Sequence, residues 1–214
     1  TSVGGEETLT SEKPLPDSAY PSQLQEKNPT EVKLTFEKGE LVAIDGEKDT
    51  PVANIEKLEA LASKYAIGRD IHVGDTIIGT KGRVGFEAPA SLIIIKAHHL
   101  LEKHTLIKWQ QYQKEQQGNF YGMLLHEGNY LDAVMRNIET FLTDTQKTVS
   151  GDVFVGLYPF QFRLHGISSE HDLMTDAFGK YGEVNKGWTA DDAKGFIKIL
   201  SNSGKIYNHV NGSE

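Results

Sequence analysis

Cysteine is absent from all 214 residues, which removes disulfides, zinc fingers, thiol catalysis and iron–sulfur clusters together. Long apolar runs are missing too. The most hydrophobic string, Leu92 to Ile95, stops at Lys96, far short of the ~20 residues that span a bilayer. The opening "TSVGGEETLTSEKPLP" has neither the basic start nor the apolar centre of a secretion signal. Basic residues are outnumbered, 22 against 30 acidic, for a formal charge of −8, so a phosphate backbone is repelled overall. These absences predict a cytoplasmic chain with no membrane and no nucleic-acid partner. The missing initiator methionine suggests a processed or truncated piece.

What is present is enough to fold. At 38% hydrophobic residues, a chain of this size buries about 70% of its unfolded surface. Residues 1–30 hold Pro14, Pro16, Pro21 and Pro29 among polar neighbours, which predicts an extended arm or linker. From Glu31, Val32, Leu34 and Phe36 alternate up to Lys38-Gly39, and Leu41 to Ile44 follow, the pattern of a β-hairpin. Pro51 opens, and Gly68 closes, a helical spacing of Ile55, Leu58, Leu61, Ala62 and Tyr65. A short strand is expected at Thr76 to Gly79. Pro89 then starts a helix whose Ser91–Leu101 part is apolar nearly all round and so should be central and buried.

Helical pattern continues, after a break near Thr105, to about Leu125, and again through Leu131, Val134, Ile138, Phe141 and Leu142. Two β-rich runs meet at Pro159. A last helix begins at Thr189, where Thr189 and Asp192 have capping-box spacing, and stops near Gly204. Strands and helices come in blocks, so the fold class is α+β: a mostly antiparallel sheet covered by helices, with an N-terminal arm and a C-terminal helix. The expected division is arm 1–30, a domain over 31–207 and a tail 208–214.

Few constellations carry chemistry. No Gly-x-x-x-x-Gly-Lys-Ser/Thr string occurs, and Gly79, Gly82 and Gly85 recur every third residue, which suits a turn better than a nucleotide cradle. His98, His99 and His104 lack the i, i+4 spacing of helical metal ligands. Hydrogen-bonded rings on a helix face are expected there, and no metal.

The stretch "GRDIHVGDTIIGTKGRVGFEAPA" resembles the C-terminal synthetase and oligomerisation domain of the argininosuccinate synthase family. Gly68, Lys81, Arg83, Glu87 and Pro89 fall in register on the family pattern Gly-x5-Glu-Asn-Arg-x4-Lys-Ser-Arg-x2-Tyr-Glu-x-Pro. The hairpin "VKLTFEKGELVAIDG" and the late segment "TADDAKGFIKI" extend the likeness over almost the whole chain.

The resemblance implies an ATP-dependent C–N ligase of arginine biosynthesis. The ureido oxygen of citrulline attacks the α-phosphorus of ATP, pyrophosphate leaves, and the aspartate amine displaces AMP. It implies that ATP, with Mg, is a co-substrate held mainly by an N-terminal domain that this chain lacks, and that the fragment alone is inactive. It implies a homotetramer to which this part supplies subunit contacts and one wall of the citrulline pocket.

For that wall the resemblance points to Thr1 and Ser2, the latter matching a serine near citrulline. It also points to Gly74, where the family usually has a glutamate for the citrulline amino group, and to Phe86, where it usually has a tyrosine. Asp75 is the expected substitute for the missing carboxylate. Lys81, Arg83 and Glu87 are expected either to support the pocket or simply to pair with one another. A non-catalytic oligomerising or amino-acid-binding module derived from the same domain is the alternative.

Overall fold

The computed structural model describes residues 2–3, 11–175 and 187–212. The chain resolves into two compact units, Thr1–Leu173 and Met174–Glu214. The fold is α+β, as the blocks of pattern predict.

The first unit is built on a five-stranded antiparallel sheet in the order β4-β3-β2-β7-β8. Its strands are β2 (Thr30–Glu37), β3 (Glu40–Ile44), β4 (Glu47–Lys48), β7 (Gly151–Tyr158) and β8 (Gln161–Ser168). Alternation places Val32, Leu34 and Phe36 on one face, and the register sets Val32 against Val155 and Leu34 against Val153. All five side chains are buried.

Two helices cover that face. In α1 (Pro51–Ala62), Thr50 caps by accepting from the Ala53 amide, and Asn54, Leu58 and Ala62 recur every fourth residue as the buried stripe. In α2 (Pro89–Thr105), the stripe is Ile93, Ala97 and Leu101. The expectation of a helix buried all round is corrected here: Ile95 and Lys96 face solvent, because α2 has the sheet and α1 on one side only. The helical pattern does break after Thr105, and α3 (Lys108–His126) and α4 (Ala133–Thr145) pack on each other.

The proline-rich arm is laid along the first unit. Leu15 and Tyr20 are buried, the amides of Gln25 and Glu26 donate to the Lys64 carbonyl at 2.8 and 3.0 Å, and the Tyr65 hydroxyl reaches the Asn28 carbonyl at 2.9 Å. Few apolar residues suffice because the backbone itself supplies the bonds.

A second, three-stranded sheet has the order β1-β6-β5, with β1 (Ser2–Val3), β5 (Arg69–Asp75) and β6 (Lys81–Glu87). The strand expected at Thr76–Gly79 is the turn between β5 and β6. The Thr76 amide donates to the Thr80 carbonyl, the Gly79 amide to the Thr76 carbonyl, both at 2.8 Å, and Gly79 takes φ +83°. Ile77 and Ile78 mimic a strand interior in sequence but stand 92% and 81% exposed.

The second unit contains α5 (Ala190–Leu200) and α6 (Asn202–Asn211). The capping box at its start is formed: the Thr189 amide donates to Asp192 at 2.9 Å. Hydrogen bonds from the Thr189 side chain and then its backbone hold the Asp192 carboxyl below its ordinary range. One helix ending near Gly204 was expected; the chain instead breaks at Ser201 and runs on to Asn211. No described helix is long and apolar enough to cross a membrane.

Candidate functional site

The three-stranded sheet carries nearly all the residues that the sequence singles out, and its pleat sorts them. In β5–β6 the register opposes Arg69 to Glu87, Asp70 to Phe86, His72 to Val84, Gly74 to Gly82 and Asp75 to Lys81. Opposed residues share a face and successive residues alternate. One face therefore holds Asp70, His72 and Gly74 with Gly82, Val84 and Phe86. The other holds Arg69, Asp75, Lys81, Arg83 and Glu87. β1 adds its backbone along β6, with Ser2 opposite Phe86. Thr1 lies outside the described residues.

The expected citrulline set is thus divided. Ser2 and Phe86 are direct strand partners, and Gly74 shares their face. Asp75 does not: one step along a strand turns a side chain to the opposite face. It forms an ion pair with Lys81 at 2.6 Å, at the turn end of the hairpin. Five register steps separate that end from the Ser2–Phe86 pair, about 17 Å at ~3.4 Å per residue.

The second face is a fastening. Glu87 is 4% exposed; its carboxylate accepts from the Ser22 amide at 3.2 Å and lies 3.5 Å from Nε of Arg69. Arg69 also donates to the Ser22 carbonyl, meets Asp17 at 3.4 Å and stacks over Tyr20, 4.8 Å from the ring centre, and Phe160, 5.7 Å. Arg83 donates to the Lys13 carbonyl at 2.9 Å. Arm, small sheet and the β7–β8 turn converge on this knot. Glu87 and Arg83 are thereby given structural partners behind the open face.

On the open face Phe86 is half-buried, while Asp70 and His72 are exposed. The backbone at Gly74 lies outside the left-handed region, yet a Cβ there would sit 2.6 Å from Nε2 of His72. The imidazole occupies the space into which a side chain at 74 would project. Composition and spacing alone do not find Asp70 and His72. Their signal is parity with Phe86, visible only once the strand register is known.

Two of the three histidines of α2 take hydrogen-bonded roles, as expected, while His99 lies near the carboxylates of Glu102 and Glu115. His98 donates from Nε2 to Gln146 Oε1 at 2.8 Å, and His104 meets Asp172 at 3.1 Å. Buried Glu102 gathers Lys114 and the Gln146 amide at 2.9 Å each, with His99 at 3.6 Å. Burial pushes the His98 imidazole below its ordinary value, against the pull of Glu102. Among the described residues no group of three His, Asp or Glu is placed to hold a metal ion.

Comparison with known proteins gives one result. A family model described as the arginosuccinate synthase C-terminal domain matches residues 11–207. Argininosuccinate synthases from Xanthomonas campestris pv. campestris and Xylella fastidiosa are 36% and 33% identical over 197 and 198 residues, 92% of this chain and 48% of each relative. That of Dictyoglomus turgidum is 32% identical over 186 residues, 87% of this chain and 47% of the relative. The chain spans about half the length of the relatives it matches.

Proposed function

Since this chain belongs to the argininosuccinate synthase family through its C-terminal domain, we propose that it is the citrulline-binding and subunit-contact part of an ATP-dependent ligase that joins citrulline to aspartate. The observation that carries the reading is the pairing of Ser2 with Phe86. It puts two residues singled out for citrulline, far apart in sequence, on adjacent strands, with Gly74 on the face they share.

In this reading the face of β1, β6 and β5 is a wall of the substrate pocket. Phe86 packs against the aliphatic part of citrulline, and the β1 backbone runs along β6 with Ser2 opposite Phe86. Holding the ureido oxygen in line with the α-phosphorus is a positioning task, and positioning contributes several kcal/mol to such reactions. ATP with Mg, and aspartate, are co-substrates bound mainly in the half of the enzyme outside the matched stretch. The knot of Arg69 and Glu87 behind the wall keeps it rigid. Arg83 acts as support through the arm, while Lys81 pairs with Asp75 at the turn of the hairpin.

Subunit contacts are the second task. The exposed Trp109, Tyr112 and Met123 of α3 and Phe196, Ile197 and Ile199 of α5 supply apolar surface of the kind that oligomers bury, which suits a homotetramer in the cytoplasm.

Pyrophosphate exchange tests the reading. The 214-residue chain alone, with ATP and citrulline, is expected to give none. Expressed together with an ATP-binding half, it is expected to give citrulline-dependent exchange. A combined protein that folds, binds ATP and still shows no citrulline dependence would leave the non-catalytic module as the better description.

A further inference from the structure

We propose that Asp70, and not Asp75, is the carboxylate that receives the ammonium group of the amino-acid substrate. This rests on the reading of the Ser2–Phe86 face as a citrulline wall.

Three carboxylates lie on the strands of the small sheet: Asp70, Asp75 and Glu87. Glu87 is buried on the fastening face against Arg69 and the Ser22 amide. Asp75 is on that same face and is neutralised by Lys81 at 2.6 Å. Of the three, only Asp70 is on the face of Phe86, and it stands directly opposite Phe86 in the register. One of its oxygens accepts from the Ile71 amide at 2.7 Å, which orients the carboxylate. Among the described residues it forms no ion pair, so its charge is available to a ligand.

His72 closes the alternative. A ligand on this face has Asp70 and Phe86 at one end and Gly74 with Gly82 at the other. The imidazole lies where a side chain from 74 would project, since a Cβ there would be 2.6 Å from Nε2, and it carries no negative charge to offer an ammonium group. The anion at position 74 is therefore absent in two ways, by the glycine and by the ring beside it. The nearest carboxylate on the same face lies four residues back along β5. A substrate amino acid then sits with its ammonium group toward the base of the hairpin and away from its turn.

The test is equilibrium binding by calorimetry to the full natural protein, with two probes: citrulline, and 5-ureidopentanoate, which keeps the ureido and carboxylate groups but has no ammonium. Asp70→Asn is expected to weaken citrulline about tenfold or more, the loss of one charge-assisted hydrogen bond. It should leave 5-ureidopentanoate within about twofold, because no ammonium remains to be lost. Asp70→Glu should restore citrulline binding to within about threefold, since the charge is kept. Asp75→Asn should change neither probe. Equal weakening of both probes by Asp70→Asn would mean a structural role and overturn the assignment. So would unchanged citrulline affinity, or a citrulline-specific loss in Asp75→Asn. If the unaltered protein binds neither probe, the citrulline reading itself fails and this inference falls with it.

Discussion

Glu87 and Glu102 are both withdrawn from water, at 4% and 2% exposure, yet they are held by different means and for different ends. Glu87 meets a guanidinium at 3.5 Å and a backbone amide at 3.2 Å, and its partners belong to the arm and the small sheet. Glu102 joins three helical segments: Lys114 of α3 and Gln146, just after α4, each donate to it at 2.9 Å, while it stands on α2. Burial alone would push the Glu102 carboxyl up, but His98, Lys114 and Gln146 more than offset that and hold it below the ordinary range. Since His98 is itself pushed below its ordinary value, the cation facing Glu102 at neutral pH is Lys114. One carboxylate fastens the arm to the small sheet; the other ties helical segments together over the core. Buried charge here marks the places where segments distant in sequence must stay in register.

The largest effect is expected at the helix tie. Glu102→Ala leaves Lys114 and the Gln146 amide facing a partly dry space without an acceptor and should cost about 3–5 kcal/mol, the range for breaking a buried pair. Urea unfolding of the variant measures it, and a loss below 1 kcal/mol would show that water reaches the site. At the fastening, Arg69→Met keeps the length of the side chain but removes the guanidinium from Glu87, Asp17 and the Ser22 carbonyl. About 2–3 kcal/mol is expected, since Arg69 keeps one edge near solvent. Limited proteolysis should then cut residues 11–29 sooner than the five-stranded sheet. Uniform sensitivity would mean that the arm is held by Tyr20 and Leu15 instead.

The smallest effect is a pH dependence of the helix tie. His98 and Glu102 both have folded values below their ordinary ones of 6.5 and 4.5, so the unfolded chain takes up protons first and stability falls as pH drops. His98 acts first, below 6.5, and Glu102 below 4.5. A single group gives a slope of at most ~1.4 kcal/mol per pH unit. Urea midpoints at falling pH should therefore decline in two stages, with the first missing in His98→Asn. A first stage that survives in this variant would place the titration elsewhere.

The β2–β3 hairpin was legible because Val32, Leu34 and Phe36 alternate strictly and Lys38-Gly39 can turn. The helix from Pro51 was legible in its N1 proline and in Leu58 and Ala62 of its stripe, although Ile55, expected on that stripe, is exposed and Asn54 is buried in its place. The "DTIIG" stretch misled because two adjacent isoleucines have strand propensity wherever they stand, while Thr76 and Gly79 supply the bonds and the positive φ of a turn. For the candidate site, the hairpin residues could be picked out in sequence, and Asp75 was singled out because it adjoins Gly74 along the chain, but the face that each residue presents follows only from the strand register.

Sequence by itself determined the α+β class, the cysteine-free chemistry and most of the helices and strands, since these follow from local pattern and composition, and its resemblance to known sequences gave the family. Only the tertiary structure decided which face each residue of β5 and β6 presents, that Ser2 pairs with Phe86, and that the arm is fastened through Arg69 and Glu87. The physical reason is the pleat. A side chain's face depends on the parity of its position relative to a partner strand, and that register is set by pairing between segments more than eighty residues apart in the case of Ser2 and Phe86.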